Sequence, residues 1–409
     1  MPGDKSITQR AILLAALATG TTRIRGANPG ADASAALATV QALGARVRRI
    51  GRSGLSIQGG DLVECDRVLD AANSGTTLRL SMGLLAAQPF LSILTGDESL
   101  RRRPVDRVIE PLRRLGAEIL ARDGDRLPPV AVRGRRLHGA REAIPVKSAQ
   151  VKSAILFAAI QAEGATEIEE RVATRDHTER MLPAFGVPVG RKGNRVCVAG
   201  PARLQAAEID IPGDISAAAF VLAAAAIAPG SDVTVRRVGI NPTRRAFLDL
   251  LGRIGARVDI RVGPEGGAEP YASVRVRAGA LEPFHVSAEE APALIDELPL
   301  LAVLAAFARG ESDVRGAAEL RIKESDRIAA VAAGLRAIGA RVEERPDGWT
   351  VDGRGTVRGG RVEAGGDHRI AMAFLVAGLG ARKGVVVEGA EWARVSDPDF
   401  LTRLRSLSR

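Results

Sequence analysis

Aromatic residues make up only 3% of this 409-residue chain, which contains one tyrosine and two tryptophans. Few side chains are therefore available to stack on nucleic-acid bases, which argues against a single-strand binding protein. Apolar residues nevertheless reach 46%, with alanine and glycine in place of the rings. We therefore predict helices that pack closely over small side chains.

Cysteine and histidine are also scarce, with two and four residues respectively. Cys65 and Cys197 match no metal-ligand or redox spacing, and the histidines do not cluster along the sequence. The sequence also lacks a P-loop, a GxSxG elbow and an HExxH motif. We expect a reducing compartment, no disulfide framework and no metal site, and we predict a cytoplasmic protein.

Long hydrophobic runs are missing as well. The longest one, from Ala217 to Ala228, is too short to span a bilayer. The stretch Ala11 to Ala18 follows Lys5 and Arg10, so the apolar core of a signal peptide is one interpretation of it. We favour an internal helix, because the same stretch fits a repeat that runs through the chain.

Positive charge is in excess, since Lys and Arg number 58 and Asp and Glu number 48, giving a net charge of +10. Such an excess is compatible with nucleic acid, an anionic membrane surface or small anionic substrates. The arginines are dispersed, and the only tight basic run is Arg101 to Arg103. We therefore predict small anions as the partners.

A repeat is visible where helical patterns end. Five times an apolar residue is followed by a glycine and a short strand, at a spacing of roughly 70 residues. These marker glycines are Gly44, Gly116, Gly186, Gly255 and Gly339. Glycine suits this place because it tolerates the left-handed conformation that ends a helix.

A second marker, an alanine-rich helix that stops at a turn and continues as a strand, occurs six times. Each repeat therefore has the order helix, turn, strand, helix, glycine, strand and a further strand. Length alone predicts two or three domains, and six repeats in two domains place three in each. We predict the break near 211–214, and the last repeat lacks its final glycine and strand.

The starts of the alanine-rich helices carry polar residues. The six motifs are DKSITQR from Asp4, NSGTTLR from Asn73, KSAQVKS from Lys147, GDISAAA from Gly213, DELPLLA from Asp296 and GDHRIAM from Gly366. Capping explains Asp214 and, in part, Asn73 and Ser148. It does not explain the cations Lys5, Arg10, Arg79 and Arg369, which oppose the helix dipole unless an anion is bound there.

The heptad RIKESDR, from Arg321 to Arg327, precedes another alanine-rich helix. On a helix, Lys323 and Glu324 would share one face with Arg327, four and three residues away. Such a face can bind an anion and move a proton, although a solvated helix end with ion pairs is an alternative. RRRPVDR from Arg101 and TRDHTER from Thr174 add two further arginine-bearing starts.

Taken together, the motifs resemble those of the 5-enolpyruvylshikimate-3-phosphate synthase family, over residues 2 to about 400. They are PGDKSITQR, NSGTTLR, RRRPVDR, SAQVKSA, TRDHTER, DELP, RIKESDR and GDHRIAM. The resemblance implies an α/β fold of two inside-out pseudo-barrels with three βαβαββ repeats each. The expected domains are 5–211, on the shikimate-3-phosphate side, and 212–409 with residues 1–4, which carries the catalytic carboxylates. Hinges are expected near 1–5 and 211–214.

The resemblance also implies the reaction. Enzymes of the family transfer the enolpyruvyl group of phosphoenolpyruvate to the 5-hydroxyl of shikimate-3-phosphate and release phosphate, without metal or organic cofactor. We expect these two small molecules as partners, neither nucleic acid nor membrane, and a monomer.

Site residues follow from the resemblance, motif by motif. The catalytic residues would be Asp296, which takes the hydroxyl proton, Glu324, which protonates the methylene carbon and later deprotonates the methyl group, and Lys5. Shikimate-3-phosphate would be bound by Lys5, Ser6, Arg10, Ser148, Ala149, Gln150, Arg175, Asp296 and Lys323. Phosphoenolpyruvate would be bound by Lys5, Asn73, Gly75, Arg103, Gln150, Arg327, His368 and Arg369.

The chain departs from the family pattern at Gln9 and Leu80, where many members have other residues. SAQVKSA, TRDHTER and DELP are more similar to the group of naturally glyphosate-tolerant enzymes. Glycine at position 75 favours sensitivity to this phosphoenolpyruvate-site inhibitor, whereas Leu80 and the group resemblance favour tolerance. We predict reduced sensitivity.

Three alternatives remain at this stage. The related enzyme that acts on UDP-N-acetylglucosamine carries a cysteine before its arginine-proline pair, and DESLRRRP has none. A family variant with a different hydroxyl acceptor is the second alternative. A basic nucleic-acid-binding repeat protein would explain the charge, but not the acidic residues Asp296, Glu324 and Asp367 at the helix starts.

Overall fold

The computed structural model of the protein describes residues 1–144, 147–264 and 267–407. These residues form two compact units. The N-terminal unit contains Gly3–Ile211 and also residues 267–269, and the C-terminal unit contains Met1–Pro2, residues 212–264 and the described residues from Pro270 onwards.

One boundary differs from the prediction, which placed residues 1–4 in the C-terminal domain. Gly3 and Asp4 belong to the N-terminal unit. The Gly3 carbonyl accepts a hydrogen bond from Asn28 Nδ2 at 2.8 Å, and Asp4 caps the first helix by accepting from the Ile7 N–H at 2.9 Å. Both contacts connect Gly3 and Asp4 to the N-terminal unit, to which this helix belongs.

Three repeats build the N-terminal unit. The first contains α1 (Lys5–Leu17), β1 (Gly20–Arg25), α2 (Ala31–Ala42), β2 (Arg46–Ile50) and β3 (Gly54–Gly59). The second contains β4 (Leu69–Asp70), α3 (Gly75–Leu85), β5 (Leu91–Thr95), a 3-10 turn (Leu100–Arg102), α4 (Asp106–Arg114), β6 (Glu118–Ala121), the short turn α5 (Arg122–Asp125) and β7 (Leu127–Arg133). The third contains β8 (Arg141–Ile144), α6 (Ala149–Ala159), β9 (Gly164–Glu170), α7 (His177–Met181), a 3-10 turn (Leu182–Phe185), β10 (Gly190–Lys192), β11 (Arg195–Gly200) and β12 (Glu208–Asp210).

Each of these repeats has one four-stranded sheet, in the orders β12-β1-β3-β2, β4-β5-β7-β6 and β8-β9-β11-β10. The first strand in each order pairs in parallel with the second, and the remaining pairs are antiparallel. Strand β12, which comes last in the chain, thus completes the sheet of the first repeat. Helices α1, α3 and α6 are buried in the centre, whereas the strands alternate between buried and exposed residues. The unit therefore has its helices inside and its sheets outside.

The C-terminal unit repeats this design. Its first repeat contains α8 (Ile215–Ile227), β13 (Asp232–Gly239), α9 (Ala246–Arg253), β14 (Arg257–Val262) and β15 (Tyr271–Arg277). The second contains β16 (His285–Val286), α10 (Ala291–Leu294), α11 (Leu298–Phe307), β17 (Arg309–Val314), a 3-10 turn (Ala318–Ile322), α12 (Arg327–Ala337), β18 (Arg341–Arg345) and β19 (Gly348–Arg354). The third contains β20 (Gly360–Glu363), α13 (His368–Gly380), β21 (Val385–Glu388), a 3-10 turn (Ala390–Val395) and α14 (Phe400–Leu407).

The sheets of this unit, taken over the described residues, have the orders β13-β15-β14, β16-β17-β19-β18 and β20-β21. Within the described residues no strand follows α14, in keeping with the prediction that the last repeat lacks its final strand. Residues 408–409 lie outside the described part of the chain. Helices α8, α11 and α13 are buried almost completely and contact one another. Each unit therefore has one hydrophobic core around three helices.

Small residues allow these helices to approach closely, as the composition predicted. A methyl group added to Gly83 of α3 would lie 2.0 Å from the Ala154 carbonyl oxygen of α6, and one added to Gly334 of α12 would lie 2.2 Å from the ring of Phe374. The five marker glycines have positive φ angles, from 83° at Gly186 to 106° at Gly116. The predicted left-handed helix ends are therefore confirmed.

Within the described residues, no helix has both the length and the apolarity needed to cross a membrane.

Candidate active site

In the N-terminal unit, the starts of helices α1, α3 and α6 lie side by side. Gln9 of α1 donates from Nε2 to the hydroxyls of Ser74 and Thr77, at 2.6 and 2.9 Å. Gln9 is 1% exposed, so this residue, which departs from the family pattern, holds α1 against the beginning of α3. A hydrogen bond from Arg79 of α3 to Gln150 links the start of α6 to the same place. Three sets of backbone N–H groups thus lie at one end of the unit, which favours the binding of anions.

Lys5 and Ser6 occupy the first turn of α1. The Lys5 ammonium lies 2.8 Å from the carboxylate of Asp32, and its side chain keeps 27% of its surface exposed. Ser6 is partly exposed, and its carbonyl accepts from Arg10 Nη1 at 3.0 Å. No sequence motif pointed to Asp32, because this partner comes from α2.

Arg10 is buried, with 2% exposure. Its Nε donates to Thr178 Oγ1 at 2.9 Å and its Nη2 to Ser153 Oγ at 2.8 Å. Burial lowers the pKa of Arg10 to about 10, and the nearby Glu179 carboxylate opposes that effect. The guanidinium therefore stays positively charged at neutral pH, and it connects α1 with α6 and α7.

At the start of α3, the cap differs from the prediction. Ser74, and not Asn73, accepts from a backbone N–H of the first turn, that of Thr77. The Asn73 side chain instead accepts from Arg103 Nη2 at 2.8 Å and donates to Asp97 at 2.7 Å. Ser74 precedes the helix directly, which gives its hydroxyl the reach that Asn73 lacks.

At the start of α6, Ser148 is the cap, as predicted in part, and accepts from the Val151 N–H at 3.4 Å. Ala149 and Gln150 follow as the first two helical residues. Gln150 accepts from Arg79 Nη1 at 2.9 Å and donates to Thr76 Oγ1 at 2.9 Å. Arg175, the last predicted residue of this unit, is half-buried before α7, close enough for its charge to lower the pKa of Arg10 further.

The N-terminal unit also contains a buried lysine that has two carboxylate partners. Lys152 of α6 is fully buried, and its ammonium lies 2.8 Å from Glu170 and 2.6 Å from Glu179. Burial raises the pKa of Glu179 although Lys152 opposes it. The sequence showed Lys152 and Glu179 only as parts of motifs, so this cluster was missed.

In the C-terminal unit, Asp296 lies between α10 and α11. Its carbonyl accepts from Arg369 Nη1 at 2.7 Å, and its carboxylate lies 3.5 Å from Arg369 Nη2. The carboxylate side chain is 20% exposed, and that of Arg369 is 10% exposed. Arg369, in the first turn of α13, thus fixes the backbone of Asp296 and leaves part of its carboxylate accessible.

Glu324 is paired with a different arginine. Its carboxylate accepts from Arg327 Nη2 at 2.6 Å and remains 25% exposed. Arg327 is 2% exposed and also donates from Nε to Asp367 at 2.7 Å. Burial would lower the pKa of Arg327, but Glu324 and Asp367 outweigh that effect and raise it. Burial likewise opposes the ionisation of Asp367, and Arg327 overcomes it and lowers the pKa of this carboxyl.

Besides its ion pair with Arg327, Asp367 makes two further hydrogen bonds. It caps α13 by accepting from the Arg369 N–H at 2.9 Å, and it accepts from Ser325 Oγ at 3.0 Å. His368, the first residue of α13, is 5% exposed. Asp367 therefore joins the RIKESDR segment to the start of α13, a role that the GDHR motif did not reveal.

The prediction that RIKESDR forms one helical face is wrong. Helix α12 begins at Arg327, with Asp326 as its cap, and the preceding 3-10 turn ends at Ile322. Lys323 pairs with Glu319 rather than facing Arg327. Ser325 and Asp326 favour a cap because their side chains bond nearby backbone groups.

Next to Asp296, a buried polar group was also missed. Glu297 is 2% exposed, and its carboxylate accepts from Ser216 Oγ at 2.5 Å. Ser216 in turn accepts from Arg244 Nη2 at 2.6 Å. Burial raises the pKa of Glu297, and the neighbouring Asp296 adds to that effect, while Arg244 opposes it. This chain of bonds ties the start of α11 to the start of α8.

The two clusters suit different chemistry. The N-terminal helix starts offer N–H groups and cations to anionic ligands. The C-terminal cluster presents two partly exposed carboxylates, each beside its own arginine, which is suited to proton transfer. Among the described residues, no group of His, Cys, Asp or Glu side chains is arranged to hold a metal ion.

Comparison with known proteins adds an independent finding. The profile of the family described as EPSP synthase (3-phosphoshikimate 1-carboxyvinyltransferase) matches residues 1–404. The chain is 48% identical to the 3-phosphoshikimate 1-carboxyvinyltransferase of Desulforudis audaxviator, covering 100% of this chain and 96% of that protein. It is 51% identical to the protein of the same name from Anaeromyxobacter sp., covering 100% and 95% respectively. A solved structure of EPSP synthase from Acinetobacter baumannii aligns with a TM-score of 0.89 and 40% identity, over 100% of this chain and 94% of that one.

Proposed function

Because the chain belongs to the EPSP synthase family, we propose that its N-terminal unit supplies most of the ligands of shikimate-3-phosphate and that its C-terminal unit supplies the proton-transfer groups and part of the phosphoenolpyruvate site. The protein transfers the enolpyruvyl group of phosphoenolpyruvate to the 5-hydroxyl of shikimate-3-phosphate and releases phosphate. The observation that carries the proposed division is the pairing of Asp296 with Arg369 and of Glu324 with Arg327.

The reaction needs one base and one acid. Asp296 takes the proton of the 5-hydroxyl while the hydroxyl oxygen bonds to C2 of phosphoenolpyruvate. Glu324 delivers a proton to the methylene carbon, which gives a tetrahedral adduct. The bond from C2 to the phosphate oxygen then breaks, and the departing phosphate takes up the proton that Asp296 had removed. Glu324 removes a proton from the new methyl group to form the enol ether. General acid and base catalysis of this kind requires groups within hydrogen-bond reach of the substrate.

Binding roles follow from the family motifs. Shikimate-3-phosphate is assigned to Lys5, Ser6, Arg10, Ser148, Ala149, Gln150 and Arg175, with Asp296 and Lys323 from the other unit. Phosphoenolpyruvate is assigned to Lys5, Asn73, Gly75, Arg103, Gln150, Arg327, His368 and Arg369. Cations at helix starts support these roles, since they stabilise the carboxylates, the phosphates and the departing phosphate.

The chain passes from one unit to the other after Pro2 and again after Ile211. We assign the hinge for substrate-driven closure to residues 1–5 and 211–214. Closure would exclude water from the tetrahedral adduct. Small-angle X-ray scattering with and without the two substrates tests this assignment, and an unchanged radius of gyration on addition of both would contradict it.

The activity itself is tested by phosphate release from phosphoenolpyruvate. We expect release with shikimate-3-phosphate and none with UDP-N-acetylglucosamine or shikimate. Release with UDP-N-acetylglucosamine alone would support the related transferase instead. Salt-sensitive binding of duplex DNA without any response to the small molecules would support a nucleic-acid-binding protein.

Reduced glyphosate sensitivity is proposed from the resemblance to the tolerant group and from Leu80, which is fully buried in α3. Gly75 at the start of the same helix favours the opposite outcome. The same assay with increasing glyphosate decides between them. Inhibition at the concentration that inhibits a sensitive enzyme assayed in parallel would contradict the proposal.

We also propose a cytoplasmic monomer. The compartment is proposed from the sequence, in which Cys65 and Cys197 match no redox or metal-ligand spacing. Analytical ultracentrifugation over a range of protein concentrations tests the oligomeric state, and a dimer that persists on dilution would contradict the monomer.

A further inference from the structure

Arg79 is a buried arginine of α3 that links three segments of the N-terminal unit. It is 4% exposed, and its Nη1 donates to Gln150 Oε1 of α6 at 2.9 Å. Its Nη2 donates to the Pro104 carbonyl at 2.8 Å, and its Nη1 also lies 3.4 Å from the Gly75 carbonyl. One planar guanidinium therefore connects the start of α3, the start of α6 and the segment before α4.

Two contacts of Arg79 involve proposed ligands of phosphoenolpyruvate, because Gln150 is one such ligand and Pro104 adjoins another. Gln150 is held at both ends of its amide, because its Nε2 donates to Thr76 Oγ1 at 2.9 Å. Pro104 directly follows Arg103, whose Nη2 donates to Asn73 at 2.8 Å and to Ser99 at 3.0 Å. Arg79 therefore fixes the orientation of one ligand and the backbone beside another.

Position 75 is tightly coupled to this arginine. A Cβ added to Gly75 would lie 2.6 Å from Arg79 Nη1, closer than such atoms approach, and 3.7 Å from Arg79 Cζ and from Leu100 Cδ1. The guanidinium is the group that would have to move, because the other two contacts are at ordinary van der Waals distance. Its movement would break or bend the bond to Gln150.

We infer that Arg79 is a positioning residue that sets Gln150 and Arg103 for phosphoenolpyruvate, and that a side chain at position 75 acts on this substrate through Arg79. This inference rests on the proposed binding roles. Arg79 itself need not contact the substrate, since its effect passes through the amide of Gln150 and the backbone at Pro104. This role accounts for a cation near the start of α3, where it opposes the helix dipole.

A double-mutant cycle of Gly75→Ala and Arg79→Lys tests the inference. Lysine has one ammonium group and cannot bridge Gln150 and Pro104 as the planar guanidinium does. We expect Arg79→Lys to raise the KM for phosphoenolpyruvate by roughly tenfold, the size of one lost bond to a charged group, with little change in the KM for shikimate-3-phosphate. Gly75→Ala should have a similar effect, and the double variant should be no worse than either single variant.

Multiplicative effects, roughly a hundredfold in the double variant, would mean that the added methyl group acts directly on the ligand and would overturn the inference. An unchanged KM in Arg79→Lys would overturn it as well. The control is Arg113→Lys, at an exposed arginine of α4 in the same unit, which should leave both KM values unchanged.

A readout that does not depend on activity completes the experiment. In a crystal structure of Gly75→Ala, we expect the Arg79 guanidinium to be displaced from Gln150, and an unmoved guanidinium would refute the inference. Thermal unfolding identifies any variant that fails to fold, in which case Arg79→Gln replaces Arg79→Lys in the cycle. Inactivity of the unmodified protein with shikimate-3-phosphate would refute the proposed function, and the crystal structure would still test the movement of Arg79.

Discussion

The two units share one repeat design but hold their arginines differently. In the N-terminal unit, the bonds described for Arg10 and Arg79 go to hydroxyl, amide and carbonyl oxygens. In the C-terminal unit, Arg327 and Arg369 lie against the carboxylates of Glu324, Asp367 and Asp296. Neutral acceptors leave positive charge available for an anionic ligand, whereas carboxylate partners balance it. We therefore expect arginines of the N-terminal unit to act through their charge on anionic substrates, and Arg327 and Arg369 to orient Glu324 and Asp296 in addition to their proposed contact with phosphoenolpyruvate.

The largest expected effect distinguishes the two units by the kinetic parameter that changes, which is kcat in one unit and KM in the other. Asp296→Asn and Glu324→Gln should each lower kcat by about 10²- to 10⁴-fold, because each removes a proton-transfer group while preserving size. Ser6→Ala in the N-terminal unit should mainly raise the KM for shikimate-3-phosphate. Phosphate release measures both parameters, with Glu311→Gln at an exposed carboxylate of β17 as the control. Near-normal kcat in either of the first two variants would contradict their assignment.

The next effect concerns stability in the N-terminal unit. Lys152→Met should lower the free energy of unfolding by about 3–5 kcal/mol, because Glu170 and Glu179 would remain buried without their cation. Arg136→Met, which removes an exposed ion pair with Glu163, should cost no more than about 1 kcal/mol. Urea denaturation of both variants measures the difference. Equal losses would show that burial of the Lys152 cluster does not matter.

Asp367 provides the matching test in the C-terminal unit. Its folded pKa is lowered because Arg327 outweighs the effect of burial, so its ionised form stabilises the fold above the unfolded pKa. That contribution is lost as the pH falls through the lowered folded pKa. Asp367→Asn should therefore cost about 3 kcal/mol at neutral pH and progressively less in acid. A cost that does not vary with pH, measured by urea denaturation, would show that charge is not the cause.

The smallest expected effect concerns one buried carboxyl in each unit, Glu179 and Glu297. Their contribution to stability changes with pH in the opposite direction to that of Asp367. Burial raises the pKa of Glu179 and of Glu297, so each folded carboxyl keeps its proton to higher pH than the unfolded chain does. The stability that each contributes is present below the unfolded pKa and is lost as the pH rises through the folded pKa. Glu179→Gln and Glu297→Gln should reduce this loss by about 1.4 kcal/mol for each unit of pKa difference. A pH dependence identical to that of the unmodified protein would contradict the prediction.

Much of the fold was readable from the sequence because it depends on local chemistry. The marker glycines, the alanine-rich helices and their polar starts are all properties of short segments, and they correctly gave six repeats and a shortened last one. Local reasoning failed where two local preferences competed. At RIKESDR, the spacing of charges favoured a helix, but Ser325 and Asp326 favour a cap, and the helix begins only at Arg327.

The site was readable in part. The motifs identified residues at the helix starts, such as Gln150 and Arg369, and their family roles remain predictions. The motifs did not identify what holds those residues, because the partners come from other repeats. Asp32 beside Lys5 and Glu170 beside Lys152 belong to no shared motif.

The sequence by itself determined the repeat, the helix ends and the chemical class of the site, because backbone conformation and charge are set by neighbouring residues. The tertiary structure alone decided which charges meet. Arg79 and Gln150 are 71 residues apart and Asp296 and Arg369 are 73 apart, yet each pair is joined by a hydrogen bond. Such pairs form only when the three central helices of a unit pack together, since their small side chains bring the helix starts within reach of one another.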